Sequence, residues 1–296
     1  MERSLLRYER HHRANNSSQK TIQYHRDCIG ALLRFLRQRG HSCKLEDLHL
    51  DDVLDWIEDQ RDRNLSQKTI STRVISVKAF TRWLLAEEWL PKDPLARLKV
   101  PKVDDKPKDT LSPDDIDTLL KACDRGTPTG CRDFAMLLLL FSTGLRASEL
   151  VGLQQTDIDW DTGLITVRRG KGGKYRVLPL GAKVGKALDR YLSHPKRPES
   201  RGAVFLTNTG DPAAYKTLQG ALIRLEERTG IHANAHRFRH SAAIQYLRGG
   251  GQVQNLRAML GHSTLEMSLH YARVAGVDLT EAHMTADPAR SLKVRV

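Results

Sequence analysis

Residues 143–150 read Thr143-Gly144-Leu145-Arg146-Ala147-Ser148-Glu149-Leu150, directly after the apolar run Phe134 to Phe141. That run is too short to span a bilayer and suits a buried helix. Gly144 ends it, because glycine takes the left-handed conformation at a helix C-terminus without steric cost. Arg146 then stands on backbone fixed by packing while its guanidinium reaches outward. The planar fork matches two phosphate oxygens and keeps its charge at any relevant pH. Glu149, three residues on, is placed to hold that guanidinium. A purely structural arginine–glutamate pair has the same spacing.

Downstream, Leu164-Ile165-Thr166-Val167 and Tyr175-Arg176-Val177-Leu178 read as two strands of a hairpin around Gly170-Lys171-Gly172-Gly173. A lysine between glycines sits on a turn that can approach a ligand closely and donate a proton or contact phosphate. A solvated basic turn fits the same residues. It is not a nucleotide-binding loop, since Gly173-Lys174 is followed by tyrosine. Asp211-Pro212 is expected to open a helix running to Gly230. Three more helices follow, at about 236–247, 252–260 and 264–274, the last with a capping box of Ser263 and Glu266. Upstream, Ser112-Pro113 starts a helix with a capping serine and proline at its first position.

Five prolines (Pro91, Pro94, Pro101, Pro107 and Pro113) and a charged stretch from Lys102 to Asp109 mark an extended linker. We place domains at 1–103 and 110–296, with the linker at 104–109. The first domain is expected to be all-helical. Ile22, Ile29, Leu33 and Leu36 recur at helical spacing up to Gly40, Leu45 to Arg61 forms a second helix, and Ile70, Val74, Val77, Phe80 and Leu84 mark a third. Ser18-Gln19-Lys20-Thr21-Ile22 recurs as Ser66-Gln67-Lys68-Thr69-Ile70, each copy opening a helix with a capping serine. Lys20 and Lys68 sit where basic charge opposes the helix dipole. With Arg73 they are candidates for phosphate contact; a five-residue match arises equally by coincidence. The fold class expected is mainly α with a small antiparallel β-sheet: a helical domain joined to an α+β domain.

Lys plus Arg number 48 against 35 Asp plus Glu, a formal net charge of +13. Such a field attracts polyanions, nucleic acid above all, although charge also serves solubility. The four cysteines contain no C-x-x-C pair, so zinc ribbons and thioredoxin-like motifs are unsupported. Met1 to Arg13 is charged throughout and lacks the apolar stretch of a signal peptide. A cytoplasmic, nucleoid-associated protein without a membrane role is the expectation.

Two further segments carry chemistry. In His236-Arg237-Phe238-Arg239-His240, His236 and Arg239 share a helix face, and a histidine beside a permanent cation suits proton handling at an anionic substrate. His236 and His240 also have the spacing of a helical zinc pair, but the flanking arginines would repel a metal ion. In Leu260-Gly261-His262-Ser263 followed by Tyr271, a tyrosine with an ordinary pKa near 10 would need cationic neighbours and a base to act as a nucleophile. Core packing is the plainer role for it.

The ordered set Arg146, Lys171, His236-x-x-Arg239, His262 and Tyr271 resembles that of the tyrosine recombinase (lambda-integrase-like) family, especially its compact Xer-type members. The likeness is strongest over Asp109 to Val274, in TGLRASEL, GKGGKYRVLPL, HRFRHS, and MLGHS followed by HYARV; Phe238 stands where the family usually has a smaller aliphatic residue. The resemblance implies a helical core-DNA-binding domain ahead of the catalytic domain, and site-specific cutting and rejoining of DNA through a 3′-phosphotyrosine at Tyr271. It implies phosphate binding by Arg146 and Arg239, protonation of the leaving 5′ oxygen by Lys171, acid–base help from His236 and a phosphate hydrogen bond from His262. No nucleotide or metal cofactor is required. The partners implied are a double-stranded recombination site and further copies of the chain, a dimer on paired half-sites and a tetramer at synapsis, or a partner recombinase. A type IB topoisomerase-like activity, or a DNA-binding regulator without catalysis, is the alternative. About 17 residues precede the first strong helix, so an added arm-binding domain is not expected ahead of it. The tail from Ala275 to Val296 is expected to carry a short helix that docks on a neighbouring protomer or folds back on its own domain.

Overall fold

The computed structural model of the chain describes residues 1–103, 109–168, 175–200, 202–262 and 264–275. Lys171, Ser263, residues 104–108 of the expected linker and the tail from residue 276 lie outside the described residues. Backbone proximity divides the chain into two compact units, Met1–Lys106 and Pro107–Val296.

The first unit is four helices: α1 (Glu2–Ala14), α2 (Gln19–Gln38), α3 (Leu50–Asp62) and α4 (Gln67–Ala86). Ser18 caps α2 by accepting from Thr21 N, and Ser66 caps α4 by accepting from Thr69 N. In both copies the serine hydroxyl also meets the following threonine hydroxyl at 2.8 Å, so the sequence echo is a repeated helix start. Lys20 and Lys68 are exposed in these first turns. Arg73 is half-buried and donates to Gln60 Oε1 at 3.1 Å. Ile70, Val74 and Val77 of α4 pack with Leu32 and Leu36 of α2 and Val53 and Trp56 of α3.

Two details differ from expectation. Residues 2–14, whose sequence shows only a charged stretch with no helical pattern assigned, form α1. Its apolar stripe is just Leu5 and Tyr8, which join Ile29, Leu33, Phe80 and Leu84, while buried Glu9 is satisfied by Arg26 (Nε to Oε1, 2.6 Å). Helix α3 begins at Leu50 rather than Leu45, because the Asp52 carboxylate accepts from His49 N at 2.8 Å and two aspartates favour the N-terminal end of the dipole there.

The second unit runs α5 (Pro113–Lys121), α6 (Pro128–Thr143), α7 (Ala147–Val151), β1 (Ile158–Asp159), β2 (Leu164–Val167), β3 (Arg176–Pro179), α8 (Ala182–Leu192), α9 (Tyr215–Thr229), α10 (Ala235–Arg248), α11 (Val253–Leu260) and α12 (Glu266–Ala275). The strands form one antiparallel sheet in the order β1-β2-β3, with Ile165 opposite Leu178 and Val167 opposite Arg176. The core centres on α6, whose Ala135, Met136, Leu137, Leu139 and Leu140 are fully buried. A satellite core joins α10, α11 and α12 through Ala243, Ile244, Leu256, Leu260 and Tyr271. Asp211-Pro212 does not open α9, which starts at Tyr215. Asp211 instead closes a turn, its carbonyl accepting from Thr207 N at 2.7 Å and its carboxylate from Thr209 at 2.8 Å. Helix α8 adds an element not anticipated, with Val184, Ala187, Leu188 and Tyr191 buried at helical spacing. Among the described residues no helix is long and apolar enough to cross a membrane.

Candidate active site

Two helix C-termini build the site. Helix α6 ends at Gly144 with φ +62°, and a β-carbon there would lie 2.5 Å from Leu260 Cδ2, so glycine is required both by conformation and by space. Helix α11 ends at Gly261, also left-handed at φ +63°. The last carbonyls of a helix lack intrahelical partners and carry the negative end of its dipole. Here they receive guanidinium groups. Arg239, on α10 and only 7% exposed, donates Nη1 to Gly144 O at 2.5 Å and Nη2 to Leu260 O at 2.7 Å. Arg146, the residue before α7, donates Nη2 to Gly261 O at 3.1 Å.

Glu149 organises the outer half. Its side chain is 1% exposed. Oε1 accepts from Arg146 Nη1 at 2.9 Å and from Arg176 Nη1 at 3.0 Å; Oε2 accepts from Arg146 N at 2.9 Å and Arg176 Nη2 at 2.7 Å. Burial pushes the Glu149 carboxyl up, but the bonds from Arg176 and Arg146 and the charge of Arg176 outweigh it, and the net shift is downward. Arg176 also donates Nε to Met259 O at 2.8 Å, which ties β3 to the end of α11. Arg176 lies within GKGGKYRVLPL, but its sequence gives it no role; its contact with Glu149, 27 positions away, follows from packing.

The tyrosine comes from α12. Tyr271 is buried, and its hydroxyl lies 2.5 Å from His240 Nδ1. His262 is buried beside it, its ring parallel to that of Tyr271 at 5.9 Å and its Nδ1 2.9 Å from Ser268 Oγ. His236 is exposed at the start of α10, its ring edge-to-face with His240 at 4.0 Å. Burial pushes the Tyr271 phenol above its ordinary value, with the Arg239 charge pulling the other way. Arg239 is drawn down to about 10 by burial first and by Arg146 second, which still leaves it charged at neutral pH. Thus Arg146, Glu149, His236, Arg239, His262 and Tyr271 fall in one region, and the structure adds Arg176 and His240 to them. The buried guanidinium of Arg239 and the half-buried one of Arg146 suit an anion, and among the described residues no three His, Cys, Asp or Glu side chains converge as a metal site.

The phage integrase family pattern matches residues 109–276, and that of the phage integrase N-terminal SAM-like domain matches residues 5–88. Tyrosine recombinase XerC of Oceanobacillus iheyensis is 30% identical over 281 residues, 92% of each chain. Tyrosine recombinase XerD of Ralstonia nicotianae is 30% identical over 278 residues, 92% of this chain and 89% of that one. Among solved structures, a lambda integrase dimer bound to a COC′ core site shares the fold at TM-score 0.76 and 19% identity, over 92% of this chain and 94% of the other. The Tn1549 transposon integrase with circular intermediate DNA does so at TM-score 0.73 and 23% identity, over 90% and 94%. The chain belongs to the phage integrase family. It is a site-specific tyrosine recombinase of the Xer-like kind, an enzyme of DNA recombination.

Proposed function

We propose that Tyr271 attacks the scissile phosphate and holds the cut strand as a 3′-phosphotyrosine. Arg146 and Arg239 bind the non-bridging oxygens and stabilise the charge that grows on them in the pentavalent transition state. Lys171 protonates the departing 5′ oxygen, His236 assists proton transfer at the phosphate, and His262 donates a hydrogen bond to it. Glu149 keeps Arg146 oriented. The observation that carries this reading is the convergence of Tyr271 with Arg239 and Arg146, whose guanidiniums are both anchored at the end of α11 next to His262.

In this scheme residues 1–103 form a core-DNA-binding domain that contacts phosphates through Lys20, Lys68 and Arg73, residues 104–109 link it, and residues 110–296 are the catalytic domain with its tail. The chain works in the cytoplasm on double-stranded DNA, as a dimer on paired half-sites and a tetramer at synapsis, alone or with a partner recombinase. The test is covalent capture. Tyr271→Phe should abolish protein–DNA adducts while DNA affinity stays near that of the wild type, because only the hydroxyl is removed. Adducts persisting in that variant would overturn the assignment.

A further inference from the structure

A side chain that meets the Tyr271 hydroxyl is His240, which has no part in the phosphate chemistry of Arg146, Lys171, His236, Arg239 and His262. It sits directly after Arg239 on α10, 2% exposed, with Nδ1 2.5 Å from Tyr271 Oη and the two rings tilted at 5.3 Å between centroids. The ring is held from one turn earlier by the edge-to-face contact with His236. Its helix is anchored by Ser241, whose hydroxyl accepts from Leu111 N at 2.7 Å. The contact joins α10 to α12 across 31 positions of sequence, so packing alone creates it.

A phenol must lose its proton to become an effective nucleophile at phosphorus, and its ordinary pKa is near 10. Burial raises the Tyr271 value and Arg239 offsets part of that rise, so the hydroxyl needs a proton acceptor within hydrogen-bond reach. A neutral imidazole with its hydrogen on Nε2 presents such an acceptor at Nδ1.

We infer that His240 is the general base of the cleavage step, taking the Tyr271 proton as the phenolic oxygen attacks. The inference rests on the reading of Tyr271 as nucleophile. The Tyr271 O–H bond breaks and its proton passes to His240 Nδ1, giving the imidazolium, while the phenolic oxygen bonds to phosphorus. The bond from phosphorus to the 5′ oxygen breaks, and that oxygen leaves with the proton from Lys171. In rejoining, the 5′ hydroxyl returns its proton to Lys171 and the imidazolium returns its own to Tyr271, so protons and charge balance over the cycle.

The experiment uses the full-length chain and a duplex selected from random-sequence DNA for covalent capture by the wild type, with adduct formation followed in a single turnover. His240→Asn places an amide where Nδ1 stood and keeps a hydrogen bond without accepting a proton. His240→Ala opens a space for free imidazole. Both variants should lose about 10²–10⁴-fold in rate with near-normal DNA affinity, and imidazole should restore His240→Ala by at least about tenfold. On a substrate whose 5′-bridging oxygen is sulfur, the His240→Asn defect should persist, because the sulfur spares the acid and not the base. A loss below about tenfold in His240→Asn, a defect that vanishes on the sulfur substrate, or faster cleavage in either variant overturns the inference. If His240→Ala does not fold, His240→Asn decides alone. Adducts that form equally in wild type and Tyr271→Phe would mean that the reading of Tyr271 has failed, which is a separate result.

Discussion

Glu149→Gln removes one charge from the most enclosed carboxylate of the site and changes almost no volume. In the wild type each carboxylate oxygen accepts two donors, one from Arg146 and one from Arg176. The amide keeps one oxygen and turns its nitrogen toward the other two donors, so two bonds are lost and two lose charge assistance. Removing one partner of a buried ion pair costs about 3–5 kcal/mol. The Arg176 side chain is 12% exposed and that of Arg146 is 29% exposed, so water offsets part of the loss. A destabilisation of about 3 kcal/mol is expected, a fall of roughly 6–12 °C in the melting of the second unit by calorimetry. Covalent adduct formation should drop as well, because Arg146 loses its orienting partner. The effect has a signed pH dependence. Glu149 ionises below the ordinary value of 4.5 in the folded protein, so its contribution is complete above that value and is lost as pH falls through the lowered one. The difference between wild type and Glu149→Gln should therefore stay constant from neutrality down to about pH 5 and shrink below it. A melting shift under about 2 °C together with unchanged adduct formation would refute this account of Glu149.

Gly144→Ala should destabilise by about 2–4 kcal/mol, since φ is +62° and the new carbon meets Leu260; denaturant unfolding checks it, and Arg239 should lose alignment with it. Lys171→Ala should slow cleavage of an ordinary strand far more than of one with a 5′-bridging sulfur, and equal slowing would make Lys171 a binding residue only. Lys20→Ala and Lys68→Ala should each weaken DNA binding across sequences and lower the slope of log affinity against log salt by roughly 0.9. Titrations that leave the slope unchanged would remove these lysines from the phosphate contacts.

Much of the local structure was legible in sequence. The periodicity of Ile70, Val74 and Val77, the capping serines Ser18, Ser66 and Ser112, and Gly144 after an apolar run each act within a few residues of themselves, which is the range over which periodicity and capping operate. Strands β2 and β3 were legible for the same reason, each a short run rich in β-branched and aliphatic residues, while the glycine-rich segment between them lies outside the described residues. Helix α1 was hidden because its buried face mixes Leu5 and Tyr8 with Glu9, whose charge is satisfied chiefly by Arg26 on the next helix, with Arg13 farther off at 3.4 Å. Helix α8 had its spacing in plain view at Val184, Ala187, Leu188 and Tyr191.

For the site, the family motif fixed which arginines, histidines and tyrosine to watch, but not what each one touches. Arg239 reaches Gly144 across 95 positions, Arg146 reaches Gly261 across 115, and Arg176 reaches Glu149 across 27. Such contacts depend on how α6, α10, α11 and β3 pack, and no local pattern records that. His240 is the clearest case. Its spacing from His236 raised only a zinc pair that the arginines argue against, whereas the packing of α12 against α10 puts its Nδ1 on the Tyr271 hydroxyl. The sequence by itself determined the elements and the inventory of reactive groups, because those follow from short-range periodicity and residue chemistry. Only the tertiary structure decided which group touches which, because burial of the α6 and α10 faces sets those distances.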